Sequence, residues 1–279
     1  MIAAFMTLLP DFVTGLSNGI YQMLNALAGH SWILDNLIAL PLDNELVKSG
    51  AIGACFLAVW CSDRSAAETH RARRVLLMTL MASMLVIATT KPLSKLVFLP
   101  RPFIQSQKIY YFENNQLAEA PRLAYRVPLD KENQDSYRDL LAGDVQGNDL
   151  GSFPSDHAGF YFTLAAGIWL ASRGIGLFAL AWTALVILAG RVITGLHSPL
   201  DIVAGAGIGA VVLAACHFVM QRWLSYRFDR LASWTLQHTM LSSALIFITL
   251  FEVSSTLTHA RPLLKLGLAM LKHLLGRGN

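Results

Sequence analysis

Apolar residues in this chain run together in long stretches. Val75–Thr90, Ile175–Gly190, Ile202–Met220 and Met240–Phe251 are free of Asp, Glu, Lys and Arg. With their less apolar flanks they approach the roughly 20 residues that a helix needs to cross a hydrocarbon core. The pattern predicts an all-α, polytopic membrane bundle of about six helices, near residues 33–62, 75–99, 156–172, 175–194, 202–221 and 236–257. The first is interrupted by Asp35, Pro41, Asp43 and Glu45.

Composition agrees with that pattern. Of 279 residues, 54% are hydrophobic and 14% charged, far from an ordinary soluble domain. Cys55, Cys61 and Cys216 lie in apolar segments without metal or disulfide spacing and are expected as small buried hydrophobes. No charged-then-apolar leader opens the chain, so insertion is expected to rely on the spans. The net charge of +4 changes the picture through its placement. Arg64, Arg71, Arg73 and Arg74, then Arg173, then Arg222, Arg227 and Arg230 fall in three short loops, which the positive-inside rule puts in the cytoplasm. No basic run carries the interleaved aromatics that stack on bases, so nucleic acid is not an expected partner.

This topology yields three regions. Residues 1–32 are an interfacial or additional helix, 33–257 the membrane domain, and 258–279 a basic amphipathic tail. Within the membrane domain, 103–153 is an extracytoplasmic loop or lid, with eight acidic and five basic side chains and Tyr110, Tyr111 and Phe112 as interfacial anchors. Asp144, Asn148 and Asp149 have some look of a calcium loop, but no set of convincing metal spacing is present, and none is expected. Gly205 and Gly209 have the spacing of a close helix contact.

Three polar clusters share the outer helix ends: "KPLSKLVFLPRPF" with Lys95 and Arg101, "FPSDH" with Ser155, Asp156 and His157, and "GRVITGLHSPLD" with Arg191, His197 and Asp201. Guanidinium forks and an ammonium suit phosphate oxygens, and two histidines can divide nucleophilic and acid roles. Ser155 and the Ser198–Pro199 pair read as helix starts whose free N–H groups favour an anion.

These residues resemble the type 2 phosphatidic acid phosphatase superfamily, with its signatures KxxxxxxRP, PSGH and SRxxxxxHxxxD, over about residues 91–201. Arg191, His197 and Asp201 keep the third spacing, while Asp156 and Gly190 depart from the usual residues. Lys95 stands one place off the lysine position, with Lys91 as its substitute. The PSDH variant, with "PRPF" and "ILD", resembles the bacterial undecaprenyl diphosphate phosphatases of that superfamily.

The resemblance implies a multi-pass protein of the bacterial plasma membrane, with no cofactor and no metal, that hydrolyses a lipid phosphate or diphosphate on its extracytoplasmic side. Undecaprenyl diphosphate comes first and phosphatidate-type lipids second. His197 would form a phosphohistidine, Asp201 orient its ring, and His157 protonate the leaving oxygen. Arg101, Arg191, Ser155 and Lys95 would hold the phosphoryl group. Asp156, grouped with them, is expected to point away and to engage an arginine's outer edge or the 103–150 segment. A phosphotransferase with the same intermediate, or a lipid-binding or transport protein without turnover, would fit the same residues.

Overall fold

The computed structural model describes residues 11–29, 31–97, 99, 101–102, 110–113, 116–119 and 151–254. The tail 258–279, most of the expected lid including Asp144, Asn148 and Asp149, and the side chains of Lys95, Tyr110, Tyr111 and Phe112 lie outside the described residues and atoms.

The described chain is helical apart from one hairpin. Its elements are α1 (Asp11–Asn25), α2 (Trp32–Asp43), a π-helical turn (Leu46–Gly50), α3 (Ala51–Trp60) and α4 (Ala66–Leu96). A two-stranded antiparallel hairpin, β1 (Tyr110–Glu113) and β2 (Gln116–Glu119), follows, pairing Tyr110 with Glu119. Then come α5 (Asp156–Ala171), α6 (Arg173–Trp182), a π-helical stretch (Thr183–Leu188) and α7 (Ala189–Ile193). The described chain closes with α8 (Pro199–Val219), a π-helical turn (Met220–Leu224), α9 (Ser225–Gln237) and α10 (Thr239–Ser254).

Three helical runs are long and apolar enough to cross a membrane, Ala66–Ser94, Arg173–Ile193 and Pro199–Gln237. They make the chain a membrane protein. Ile33–Leu42, Leu46–Trp60 and Thr239–Glu252 are shorter apolar helices. The stretch expected as one span at 33–62 is broken near Asn44, whose amide side chain accepts from Val47 N–H at 3.2 Å, so α2 stops and the π-turn begins.

Local chemistry fixes the helix starts. Ser65 and Glu68 form a capping box at α4: the Ser65 hydroxyl accepts from Glu68 N–H at 3.4 Å, and the Glu68 carboxylate accepts from Ser65 N–H at 3.2 Å. Ser155 caps α5 through Ala158 N–H at 3.3 Å, and Ser198 caps α8 through Asp201 N–H at 3.3 Å.

The core lies where α3, α4, α5 and α6 meet, around Phe56, Trp60, Leu76, Leu164 and Ile168, all at most 3% exposed. Small residues let α8 approach α5. A Cβ built at Gly205 would sit 2.1 Å from Ser155 O, and one at Gly209 would sit 2.7 Å from Gly159 O. Large apolar side chains such as Leu177, Leu185, Val203, Val211 and Phe247 face outward, as lipid-facing positions require.

Candidate active site

α7 ends in a glycine-terminated turn. Gly195 has φ 73°, its N–H donates to Val192 O at 3.1 Å, and Leu196 N–H donates to Arg191 O at 2.9 Å, a Schellman end. His197 N–H also reaches Arg191 O, at 3.2 Å. One carbonyl therefore anchors the turn that carries His197, and α8 starts immediately afterwards at Pro199. The spacing from Arg191 through His197 to Asp201 is thus one helix stop joined to one helix start.

His197 is 3% exposed. Its Nδ1 lies 2.9 Å from the Ser152 carbonyl oxygen. A carbonyl can only accept, so the neutral ring carries its proton on Nδ1 and leaves a lone pair on Nε2. Nε2 has no hydrogen-bond partner among the described residues. Burial, then the charges of Arg101 and Arg191, holds the ring's pKa well below the usual histidine range, so the lone pair stays available.

Asp201, the expected partner of that ring, engages the Ser198 turn and the Ser152 side chain, one residue removed from the imidazole. Its carboxylate accepts from Ser198 N–H at 2.6 Å, and its own N–H donates to the Ser198 hydroxyl. Asp201 thus secures the turn between His197 and α8, while Ser152 orients the imidazole. Ser152 is held in turn by Leu99 O, 2.7 Å from its N–H and 3.1 Å from its hydroxyl.

The second histidine has a dedicated carboxylate. Asp156 Oδ1 lies 2.7 Å from His157 N and 2.7 Å from His157 Nδ1. Asp156, expected to engage an arginine edge or the 103–150 segment, most of which lies outside the described residues, pairs with its neighbour while the charge of Arg191 also acts on it. At the first turn of α5 the carboxylate can close back on the next residue, where free N–H groups attract it. It selects the Nδ1–H tautomer of His157 and offsets positive charge on the ring while Nε2 gives or takes a proton.

Arg191 is buried at 6% exposure, and its charge acts on Asp156, His157 and His197 alike; Arg101 acts on His197. Arg101 acts on Asp201 as well, so six of the expected residues, Arg101, Asp156, His157, Arg191, His197 and Asp201, share one electrostatic neighbourhood. Ser155 is fully buried, its hydroxyl engaged in the cap and its N–H donating to Asp201 O at 3.1 Å, so it joins α5 to α8. Lys95 lies in the last turn of α4, and its side chain is outside the described atoms.

Several groups at the site carry no obvious sequence signal. Lys48, 6% exposed on the π-turn, pairs with Glu45 at 2.6 Å, and its charge reaches His157. The Ser49 hydroxyl bridges Glu45 at 3.0 Å and the Tyr161 hydroxyl at 2.6 Å; the Tyr161 and His157 rings are 6.2 Å apart. α1 supports the turn that carries His197, with Asn25 Nδ2 donating to Ile193 O at 2.8 Å and Ser17 Oγ accepting from Leu200 N–H at 3.2 Å. Its outer face carries Phe12, Leu16 and Met23, exposed. Among the described residues no cluster of His, Cys, Asp and Glu has the makings of a metal site.

The model of the PAP2 superfamily matches residues 71–225, more than half of the chain. The chain belongs to the PAP2 superfamily. Members generally hydrolyse phosphate esters, lipid phosphates among them, and the matched segment contains both histidines and both arginines of the neighbourhood just described. Among curated proteins and among solved structures, none matches the chain. Ser152 and Asp156 lie inside the PAP2 match, whereas Glu45, Lys48 and Ser49 lie before it.

Proposed function

We propose that this PAP2 protein is a membrane lipid phosphatase that works through a phosphohistidine, with undecaprenyl diphosphate first among its substrates and phosphatidate-type lipids second. The observation that carries the reading is His197: a buried imidazole whose Nδ1–H is fixed by Ser152 O, whose Nε2 keeps its lone pair, and which stands in the field of Arg101 and Arg191. Nε2 attacks the terminal phosphorus, the phosphorus bond to the leaving oxygen breaks, and His157, entering the step as the imidazolium with its Nδ1–H on Asp156, delivers its Nε2 proton to that oxygen. Water then attacks phosphorus while His157 takes a proton back; the N–P bond breaks and phosphate departs. Two guanidiniums stabilise the charge on the equatorial oxygens, and the reaction is expected to proceed without a divalent ion.

Lys48 supports the diphosphate preference. It is a third cation of the site, buried like Arg191, on the side of His157, where the leaving group lies if His197 is the nucleophile. A leaving phosphate gains from it more than a leaving alcohol does. A lipid substrate fits the site's place at the ends of apolar helices. The proposed topology has six spans, the three long runs joined by residues 33–62, 156–172 and 236–257. The catalytic groups face away from the cytoplasm, since Arg71, Arg74 and Arg173 gather at the opposite end.

The test is phosphate release by the purified full chain in detergent from undecaprenyl diphosphate, phosphatidate and glycerol phosphate, with a chelator present. Release from the lipids, its loss in His197→Ala, and a larger loss on diphosphate than on monophosphate in Lys48→Met are expected. Full turnover by His197→Ala, or activity restored only by a divalent ion, refutes the mechanism.

A further inference from the structure

At the bundle end remote from the histidines, Arg71 and Arg74 of α4, Leu170 of α5, Arg173 of α6, His217 of α8 and Gln221 close around a cavity of about 260 Å3. At the helical rise, Asp201 and His217 stand about 24 Å apart along α8, and His157 and Leu170 about 20 Å apart along α5. The cavity is thus separate from the catalytic neighbourhood but built on the same helices.

Its wall is rich in donors. Three guanidiniums line it, and the carboxylate paired with them among the described residues is Asp229, 2.9 Å from Arg74. The Gln221 amide nitrogen can only donate, so His217 Nε2, 2.7 Å away, accepts, and the ring proton sits on Nδ1. That buried N–H and Arg74 Nε have no acceptor among the described residues. Arg173 stacks on Trp169, 3.9 Å from the ring centroid, which holds its fork in place. Val75 and the half-exposed Leu170 add an apolar wall.

Donors with one carboxylate among them select an anion, and planar guanidinium forks match phosphate oxygens. The apolar wall, at the end of a membrane helix bundle and beside an interfacial tryptophan, suits a ligand that also carries an acyl chain. We propose that this cavity binds the phosphate headgroup of an anionic phospholipid from the leaflet opposite the catalytic groups. The bound lipid is a structural ligand and not a substrate, since the lone pair of His217 Nε2 is occupied by Gln221. Such a headgroup joins the ends of α4, α6 and α8, and at or beyond the other ends of those helical runs stand Arg101, Arg191 and Asp201.

The test is native mass spectrometry of the full chain released from micelles containing phosphatidylglycerol or phosphatidylcholine. Wild type should retain one phosphatidylglycerol in preference to phosphatidylcholine, and Arg71→Gln/Arg173→Gln should weaken retention by about tenfold or more. Arg71→Lys/Arg173→Lys, which keeps the charge, should fall between them and guards against a folding defect. His197→Ala should retain the lipid as wild type does, so the result stands or falls independently of the phosphatase reading. Equal retention by the glutamine variant, equal retention of phosphatidylcholine, loss of the lipid in His197→Ala, or its displacement by millimolar inorganic phosphate would each overturn the proposal.

Discussion

Replacing Asp156 by glycine restores the residue usual in the superfamily signature and removes the partner of His157. The carboxylate accepts two bonds at 2.7 Å, one from the His157 main chain and one from its ring. A hydrogen bond to a charged group is worth about 1.5–3 kcal/mol, against about 0.5–1.5 for a neutral one. The Asp156 side chain is 27% exposed, so solvent screens part of that, and the lower half of the charged range applies. About 1.5–2 kcal/mol of lost support for His157 in the transition state corresponds to a fall in kcat/KM of roughly 10–30-fold. Asp156→Asn keeps an oxygen acceptor without the charge and should lose about 1 kcal/mol, or roughly 5-fold. Initial rates of phosphate release across substrate concentrations, for both variants and for His157→Gln, provide the assay. In the double variant Asp156→Gly/His157→Gln the aspartate should contribute nothing further, because it acts through the histidine. If Asp156→Gly keeps kcat within about twofold of wild type and shifts only KM, the pair is a contact without catalytic consequence and the reasoning fails.

Packing and pH give further predictions. Gly205→Ala places a methyl 2.1 Å from the Ser155 carbonyl oxygen, a main-chain atom that cannot swing away, and should destabilise by about 1–3 kcal/mol. Gly207→Ala, with open space around its Cβ, should be neutral or stabilising by up to about 1 kcal/mol; equal melting temperatures for the two in detergent would contradict the close approach. The fold lowers the pKa of His197, so below the unfolded value of about 6.5 the unfolded chain binds a proton that the native chain refuses. Stability should therefore fall as pH drops through that value, and it should fall less in His197→Gln. Melting curves from pH 7.5 to pH 5 that decline equally in both would remove His197 as the source.

The sequence is most legible where a single physical demand dominates. The uncharged runs after Val75, Ile175 and Ile202 have to be long apolar helices, and they are. The spacing of Arg191, His197 and Asp201 leads to one place because a helix stop, a glycine turn and a helix start leave the chain little freedom there. Other parts of the site depend on groups that leave no trace in residue identity. The partner of the His197 ring is the main-chain carbonyl of Ser152, which any residue type could supply. Asp156 and His157 are consecutive, and neighbours in a helix normally point to different faces, so their pairing depends on the special geometry of a first turn. Lys48 and Glu45 look like interruptions of an apolar span, yet past the break near Asn44 Lys48 is buried against the half-exposed Glu45, which meets Tyr161 through Ser49.

The bond from Ser155 N–H to the Asp201 carbonyl joins the starts of α5 and α8 through main-chain atoms alone. The separation of the two histidines is consequently insulated from the identity of most neighbouring side chains. Residues around the histidines can be exchanged, as the aspartate at 156 illustrates, without resetting that separation. Side chains around the pair can change one at a time while the two histidines stay in register, and glycine at 205 is the position that permits the contact.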